Sequence, residues 1–163
     1  MNKGLIYIIM GVSGCGKSTI GELLASKLRI PFFDGDDFHP ETNITKMAKG
    51  IPLNDKDRKD WLQSLNELAS EHKDKGAVIA CSALKEAYRT QLRKDIGDKM
   101  AFVYLSGSFD DILTRLKKRK NHYMPVDLLK SQFDILEVPK DAISVSILLP
   151  PEEMVSKIIN YDS

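Results

Sequence analysis

The sequence predicts an α/β fold, a parallel sheet covered by helices on both faces. Three observations carry this. Short apolar runs rich in β-branched residues alternate with helical stripes along the chain. Most of those runs are apolar at every position, as strands buried on two faces are. The first run leads straight into a glycine-rich loop and then an amphipathic segment.

Taken in order, residues 5–10 form the first strand candidate, and Ile20, Leu23, Leu24 and Leu28 give the first helical stripe. Residues 31–34 make a shorter strand. Trp61, Leu62, Leu65, Leu68 and Ala69 mark a second helix, opened by Asn54 or Asp55 as its cap. Residues 77–81 are the third strand, followed by a helix on Leu84, Ala87, Tyr88 and Leu92. Residues 101–105 are the fourth, followed by Phe109, Ile112, Leu113 and Leu116. Ile143, Val145 and Ile147 alternate with serines, which predicts a half-exposed edge strand. Met154, Val155, Ile158 and Ile159 close the chain with a last helix. Ligands of such sheets bind beyond the carboxyl ends of the strands, so the residues just after each strand are the ones to read for chemistry.

Composition narrows the function. The 163 residues suit one domain, 1–163, with no repeat, low-complexity tract or linker. At 42% apolar and 29% charged, the chain is too apolar for disorder. A formal net charge of +1 gives no field to recruit nucleic acid or an anionic membrane, so any bound anion must be held by local groups. No apolar run approaches the ~20 residues of a membrane span. The first apolar run is short and meets a glycine-rich loop rather than a leader cleavage site. The two cysteines, Cys15 and Cys81, suit a reducing compartment better than a disulfide scaffold. A cytoplasmic protein is expected.

The first loop reads Gly11-Val12-Ser13-Gly14-Cys15-Gly16-Lys17-Ser18, then Thr19. It satisfies G-x-x-x-x-G-K-[ST] between a strand and a helix, which the motif requires. Glycines let the backbone turn sharply, so that successive N–H groups converge on phosphate oxygens, and the helix N-terminus adds partial positive charge. ATP is the expected cofactor, with Lys17 reaching the β- and γ-phosphates and the Ser18 hydroxyl available to Mg²⁺. Cys15 is read as a small loop residue.

After the second strand comes Asp34-Gly35-Asp36-Asp37-Phe38-His39-Pro40. Carboxylates here sit where Mg²⁺ and an acceptor hydroxyl would meet. The third strand ends in Ala80-Cys81-Ser82, without the acidic residue that usually supports the metal, which gives the second-strand carboxylates more weight. A solvated turn is the plainer alternative. His39 could hydrogen-bond a hydroxyl or cap the turn that follows.

From here the sequence resembles the gluconokinases, relatives of shikimate kinase and the nucleoside monophosphate kinases. The matching residues are G-V-S-G-C-G-K-S-T at 11–19, D-G-D-D-F-H-P at 34–40, N-I-T-K-M-A-K-G-I-P-L-N-D-K-D-R at 43–58, W-L at 61–62, C-S-A-L-K at 81–85, Y-R at 88–89 and S-Q-F-D-I-L-E at 131–137. The likeness runs through nearly the whole chain. It implies a P-loop, nucleoside-monophosphate-kinase-like three-layer fold, with a five-stranded parallel sheet in the order 2-3-1-4-5 and a mobile lid at 119–125. In that lid Asn121 and Tyr123 stand where the family pattern has Gly and Phe. The implied reaction is transfer of the ATP γ-phosphoryl group to the terminal hydroxyl of D-gluconate, and the resemblance makes a homodimer plausible.

The implied roles follow. Gly11 to Thr19 hold the triphosphate, Ser18 and Asp34 serve Mg²⁺ and its waters, and Asp36 orients the acceptor hydroxyl and takes its proton. Arg58 lies at the start of the Trp61 helix, and Lys85 and Arg89 stand four apart after the third strand. A guanidinium can grip a carboxylate with two parallel hydrogen bonds. With His39, these three are the expected acceptor-binding residues, Arg58 first. Arg115 and Arg119 fall near the end of the fourth long helix; by similarity Arg115 takes the adenine and Arg119 the transferring phosphate. A solvated basic helix end is the alternative, since Lys117, Lys118 and Lys120 are basic too.

Besides a nucleotide-binding protein without catalysis, which would leave the Asp34–Asp36 pair and the lid arginines unexplained, two rivals remain at this stage. One is a kinase of another small acceptor, such as shikimate or a nucleoside monophosphate. The other is a nucleotide-dependent switch, against which stands the absence of any N-K-x-D or D-x-x-G motif.

Overall fold

The computed structural model describes residues 5–118 and 126–161. Five parallel strands form one sheet in the order β2-β3-β1-β4-β5. They are β1 (Ile6–Met10), β2 (Phe32–Asp34), β3 (Ala77–Ala80), β4 (Met100–Ser106) and β5 (Ile143–Ser146). The helices are α1 (Lys17–Leu28), α2 (Glu41–Ala48), α3 (Asp55–Glu71), α4 (Glu86–Arg93), α5 (Phe109–Lys118), α6 (Val126–Ile135) and α7 (Pro151–Ile159).

The sheet separates two apolar layers, as a strand buried on both faces must. On one side Ile9, Val78, Val103 and Val145 pack with Ile20 and Leu24 of α1 and with Met154, Val155 and Ile158 of α7. On the other, Ile6, Ile8, Ile79 and Phe102 pack with Trp61, Leu62 and Leu65 of α3 and with Tyr88 and Leu92 of α4. Leu65 is fully buried, so Leu65→Ala would cost about 2–5 kcal/mol in lost burial and cavity. β5 alternates buried and exposed residues, the pattern of the edge strand its serines announce.

The register sets the site. Ile9 pairs with Ala80 and Met10 with Tyr104, while Asp34 pairs with Ala80 from the other side. The carboxyl ends of β1, β2 and β3 therefore finish level with one another. Gly11 N–H donates to the Ser82 carbonyl at 3.3 Å, which ties the first loop to the third.

Of the two caps considered for α3, the structure selects Asn54. Its side chain accepts from Asp57 N–H while the Asp57 carboxylate accepts from Asn54 N–H, a reciprocal capping box. Two helices lie outside the stripes named above, α2 and α6. Their only buried residues are Asn43 and Leu129 respectively.

Candidate active site

The level strand ends open into a cleft of about 1060 Å³. One wall is the first loop, the floor is the acidic loop with the end of β3, and the far wall is the α2–α3 connection with the start of α3. Residues of α6 close the remaining side.

The first loop is built as a cradle. Lys17 Nζ donates to the Gly11 and Val12 carbonyls at 3.0 and 3.1 Å, so the ammonium is held across the loop's mouth. Gly16 has φ +96°, and a Cβ there would stand 3.2 Å from Arg115 Nη2. That contact brings Arg115 against the loop. Val12 and Cys15 are buried, and the Cys15 Sγ lies beneath Gly11. Their side chains pack under the loop, away from the cleft. Ser13, Gly14, Gly16, Lys17, Ser18 and Thr19 line the cleft.

Gln132 of α6, which the sequence reading missed, bonds to Ser13 twice. Its Oε1 accepts from Ser13 N–H at 2.7 Å and its Nε2 donates to Ser13 Oγ at 3.0 Å. The partners lie 119 residues apart. The only signal was its place in the 131–137 block.

The acidic loop is fixed by close packing. A Cβ on Gly35 would fall 2.4 Å from the Ala80 carbonyl oxygen, so only glycine lets β2 turn away over β3 here. Asp34 Oδ1 then accepts from Asp36 N–H at 3.0 Å, and Asp34 Oδ2 accepts from Ser18 Oγ at 3.3 Å. The structure thus brings together the two residues expected at Mg²⁺. Both offer hard oxygens, and Mg²⁺ commonly takes only one or two protein groups beside phosphates and water. The pair fits such an ion, although no cluster of three metal-ligating side chains occurs among the described residues. The Asp36 carboxyl points into the cleft. Partial desolvation, then the Asp34 charge, push its pKa up, against the pull of Lys17.

His39 does not cap the following turn. It is buried, stacked on Trp61 at 4.2 Å between centroids, with Nδ1 3.2 Å from Asn43 Nδ2 and Nε2 4.0 Å from Asp36 Oδ1. Burial, then the nearby Arg58 charge, lower its pKa to about 4, so it is neutral near pH 7. Trp61, which reads as a core residue, also lines the cleft and donates its indole N–H to the Gly35 carbonyl at 2.8 Å.

The basic residues divide. Arg58 and Lys85 face the cleft and flank Tyr88, their charged ends 5.3 and 5.6 Å from its ring centroid. Arg58 Nη1 donates to the Tyr88 hydroxyl at 3.0 Å, the hydroxyl donates to Asp55, and Lys85 Nζ reaches both Asp55 oxygens at 3.2 and 3.3 Å. The Tyr88 and Lys85 hydrogen bonds hold the Asp55 carboxyl below its usual range.

Arg89 stands apart from this group. The expected shared face with Lys85 fails because α4 starts at Glu86. Lys85 is the extended cap residue before it, and Arg89 turns inward. With 3% exposure, Arg89 donates to the Ala83 and Glu137 carbonyls at 2.7 and 2.8 Å and reaches Glu86 at 3.2 Å. It braces the turn after β3 against the chain following α6, and it does not line the cleft. Arg119 and the lid expected at 119–125 lie outside the described residues.

The shikimate kinase family profile matches residues 13–159. A thermoresistant gluconokinase of Escherichia coli K12 is 46% identical over 160 residues, covering 94% of this chain and 91% of that protein. A probable gluconokinase of Mus musculus is 47% identical, covering 87% and 89%. Among solved structures, a gluconokinase from Sinorhizobium meliloti 1021 superposes with a TM-score of 0.89 at 39% identity, covering 96% and 90%. A shikimate kinase from Aquifex aeolicus shares the fold, with a TM-score of 0.63 at 23% identity.

Proposed function

We infer, from the premise that this chain belongs to the shikimate kinase family and to the gluconokinases within it, that it transfers the γ-phosphoryl group of ATP to gluconate. One observation carries the reading. A single cleft is lined by the first loop with Lys17, by Asp34 and Asp36, and by Arg58 and Lys85.

Phosphoryl transfer needs positioning and charge stabilisation more than covalent chemistry. Backbone N–H groups of the first loop and Lys17 bind and orient the triphosphate. Ser18 and Asp34 would hold Mg²⁺, which when bound neutralises phosphate charge. Asp36 orients the acceptor's terminal hydroxyl and takes up its proton. Arg58 and Lys85 bind the carboxylate at the far end, with Tyr88 setting their spacing. Their two positive charges face the single negative charge of Asp55, which leaves net charge for one carboxylate. Arg115 sits beside the loop, as a residue packing on adenine would. By resemblance, Arg119 meets the transferring phosphate.

The described cysteines are both buried and unpaired, in keeping with a reducing cytoplasm. No helix among the described residues is long and apolar enough to cross a membrane. A homodimer rests on the resemblance alone.

The test is coupled ADP release with gluconate beside shikimate, glycerate, AMP and CMP. Turnover is expected with gluconate. Preference for any other acceptor would move the assignment to that kinase, and release without acceptor would point to an ATPase.

A further inference from the structure

We propose that Asn43 is a positioning residue that fixes His39 as the Nε2–H tautomer, so that the imidazole presents a hydrogen-bond donor to Asp36 at the acceptor end of the cleft.

The Asp57 backbone carbonyl can only accept, and it lies 2.8 Å from Asn43 Nδ2. That contact orients the carboxamide. Flipping it would set two acceptor oxygens against each other in a site where Asn43 is 1% exposed to bulk solvent. The same NH₂ group lies 3.2 Å from His39 Nδ1. It has a hydrogen for each partner and nothing to accept with. Nδ1 must therefore be the unprotonated nitrogen, and in the neutral ring the proton sits on Nε2.

The ring is held in that orientation. It lies nearly parallel to Trp61, at 13° between planes, and Trp61 is itself anchored to the Gly35 carbonyl. The charged groups nearest the imidazole are Asp36, from the turn before it, and Arg58, from α3. Arg58 and burial both disfavour a second ring proton. Nε2 stands 4.0 Å from Asp36 Oδ1, and the Asp36 side chain, 85% exposed, can swing the remaining distance. A donor here steers one carboxylate oxygen and leaves the other for the acceptor hydroxyl. The proton stays on Nε2 throughout.

The consequence for turnover rests on the role given to Asp36 above; the tautomer does not. Long-range ¹H–¹⁵N correlation spectra distinguish protonated from unprotonated ring nitrogens. The chain has three histidines, so the His39 signals can be assigned by their loss in His39→Gln. Wild type near pH 7.5 should show Nε2–H, and Asn43→Asp, whose carboxylate can only accept, should move a proton onto Nδ1. His39→Gln, whose amide nitrogen reaches the Nε2 position, should keep kcat within about tenfold. His39→Asn, whose amide nitrogen replaces Nδ1, should lose about a hundredfold with KM for ATP unchanged. An Nδ1–H signal in wild type overturns the proposal. An Nε2–H signal with equal kcat losses in both His39 variants overturns its catalytic half, while gluconate turnover in wild type would still support the assigned reaction.

Discussion

Arg58→Ala is the most informative single substitution on the acceptor side. Arg58 spends Nη1 on the Tyr88 hydroxyl, leaving the rest of its planar fork for a carboxylate in the cleft. A hydrogen bond to a charged group contributes ~1.5–3 kcal/mol. Since ~1.4 kcal/mol is a factor of ten, removing the guanidinium should raise KM for gluconate roughly 10- to 100-fold. Lys85 remains beside the same ring and still attracts the carboxylate, which sets the expected rise toward the lower figure. The fold should survive, because the Tyr88 hydroxyl keeps Asp55 as its acceptor and no buried polar group is orphaned. The carboxylate does not change through the reaction, so its contact is uniform binding. kcat and KM for ATP should therefore stay within about twofold. Arg58→Lys keeps the charge and loses the fork, and should fall between. Coupled ADP release at varied gluconate, then at varied ATP, reads all these quantities. A KM for gluconate within about twofold of wild type, or a loss confined to kcat, would refute the carboxylate assignment.

Further outcomes are expected elsewhere in the cleft. Lys17→Met should abolish turnover with unchanged circular dichroism, because the Lys17 ammonium is the charge held across the first loop's mouth; kcat retained within about tenfold would remove Lys17 from the nucleotide site. Asp34→Asn should show a raised Mg²⁺ requirement, whereas Asp36→Asn should lose about 10²–10⁴-fold in kcat with no rescue by Mg²⁺. The reverse pattern in a Mg²⁺ titration would exchange their roles. Gln132→Ala should alter KM for ATP a few-fold and speed hydrogen exchange at the Ser13 amide, which loses a 2.7 Å bond. Unchanged exchange would separate α6 from the loop. His39, with its folded pKa lowered to about 4, binds fewer protons folded than unfolded. Stability should be full above the unfolded pKa of ~6.5 and decline as pH falls toward 4, by on the order of 2–3 kcal/mol. Urea midpoints at pH 7 and 4.5 should fall further apart in wild type than in His39→Gln, and equal shifts would show that His39 does not carry the effect.

Much of this protein is written locally. The strand-loop-helix context of 11–19 carries the cradle because backbone turn and helix end are both short-range properties. The acidic loop is legible in part: Asp34 caps its own turn within two residues, whereas the need for Gly35 comes from its contact with Ala80. Alternating apolar runs and stripes lead to the parallel sheet, because burial on two faces leaves a pattern in composition.

Other features could not be read that way. Helix α2 buries only Asn43, so apolar periodicity has little to detect there. Asn43 looks like an ordinary polar residue until the Asp57 carbonyl, 14 residues on, orients it. Gln132 and Ser13 meet across 119 residues, and Tyr88 joins Arg58 to Asp55 across 30 and 33. Lys85 and Arg89 have the spacing of one helical face, yet α4 begins between them and sends one to the cleft and the other to the interior. The sequence alone determined which chemistry the chain could perform, since motif and turn geometry depend on neighbours along the backbone. Only the tertiary structure decided which polar side chains face that chemistry, because a hydrogen bond between distant segments exists only after the sheet has brought them level.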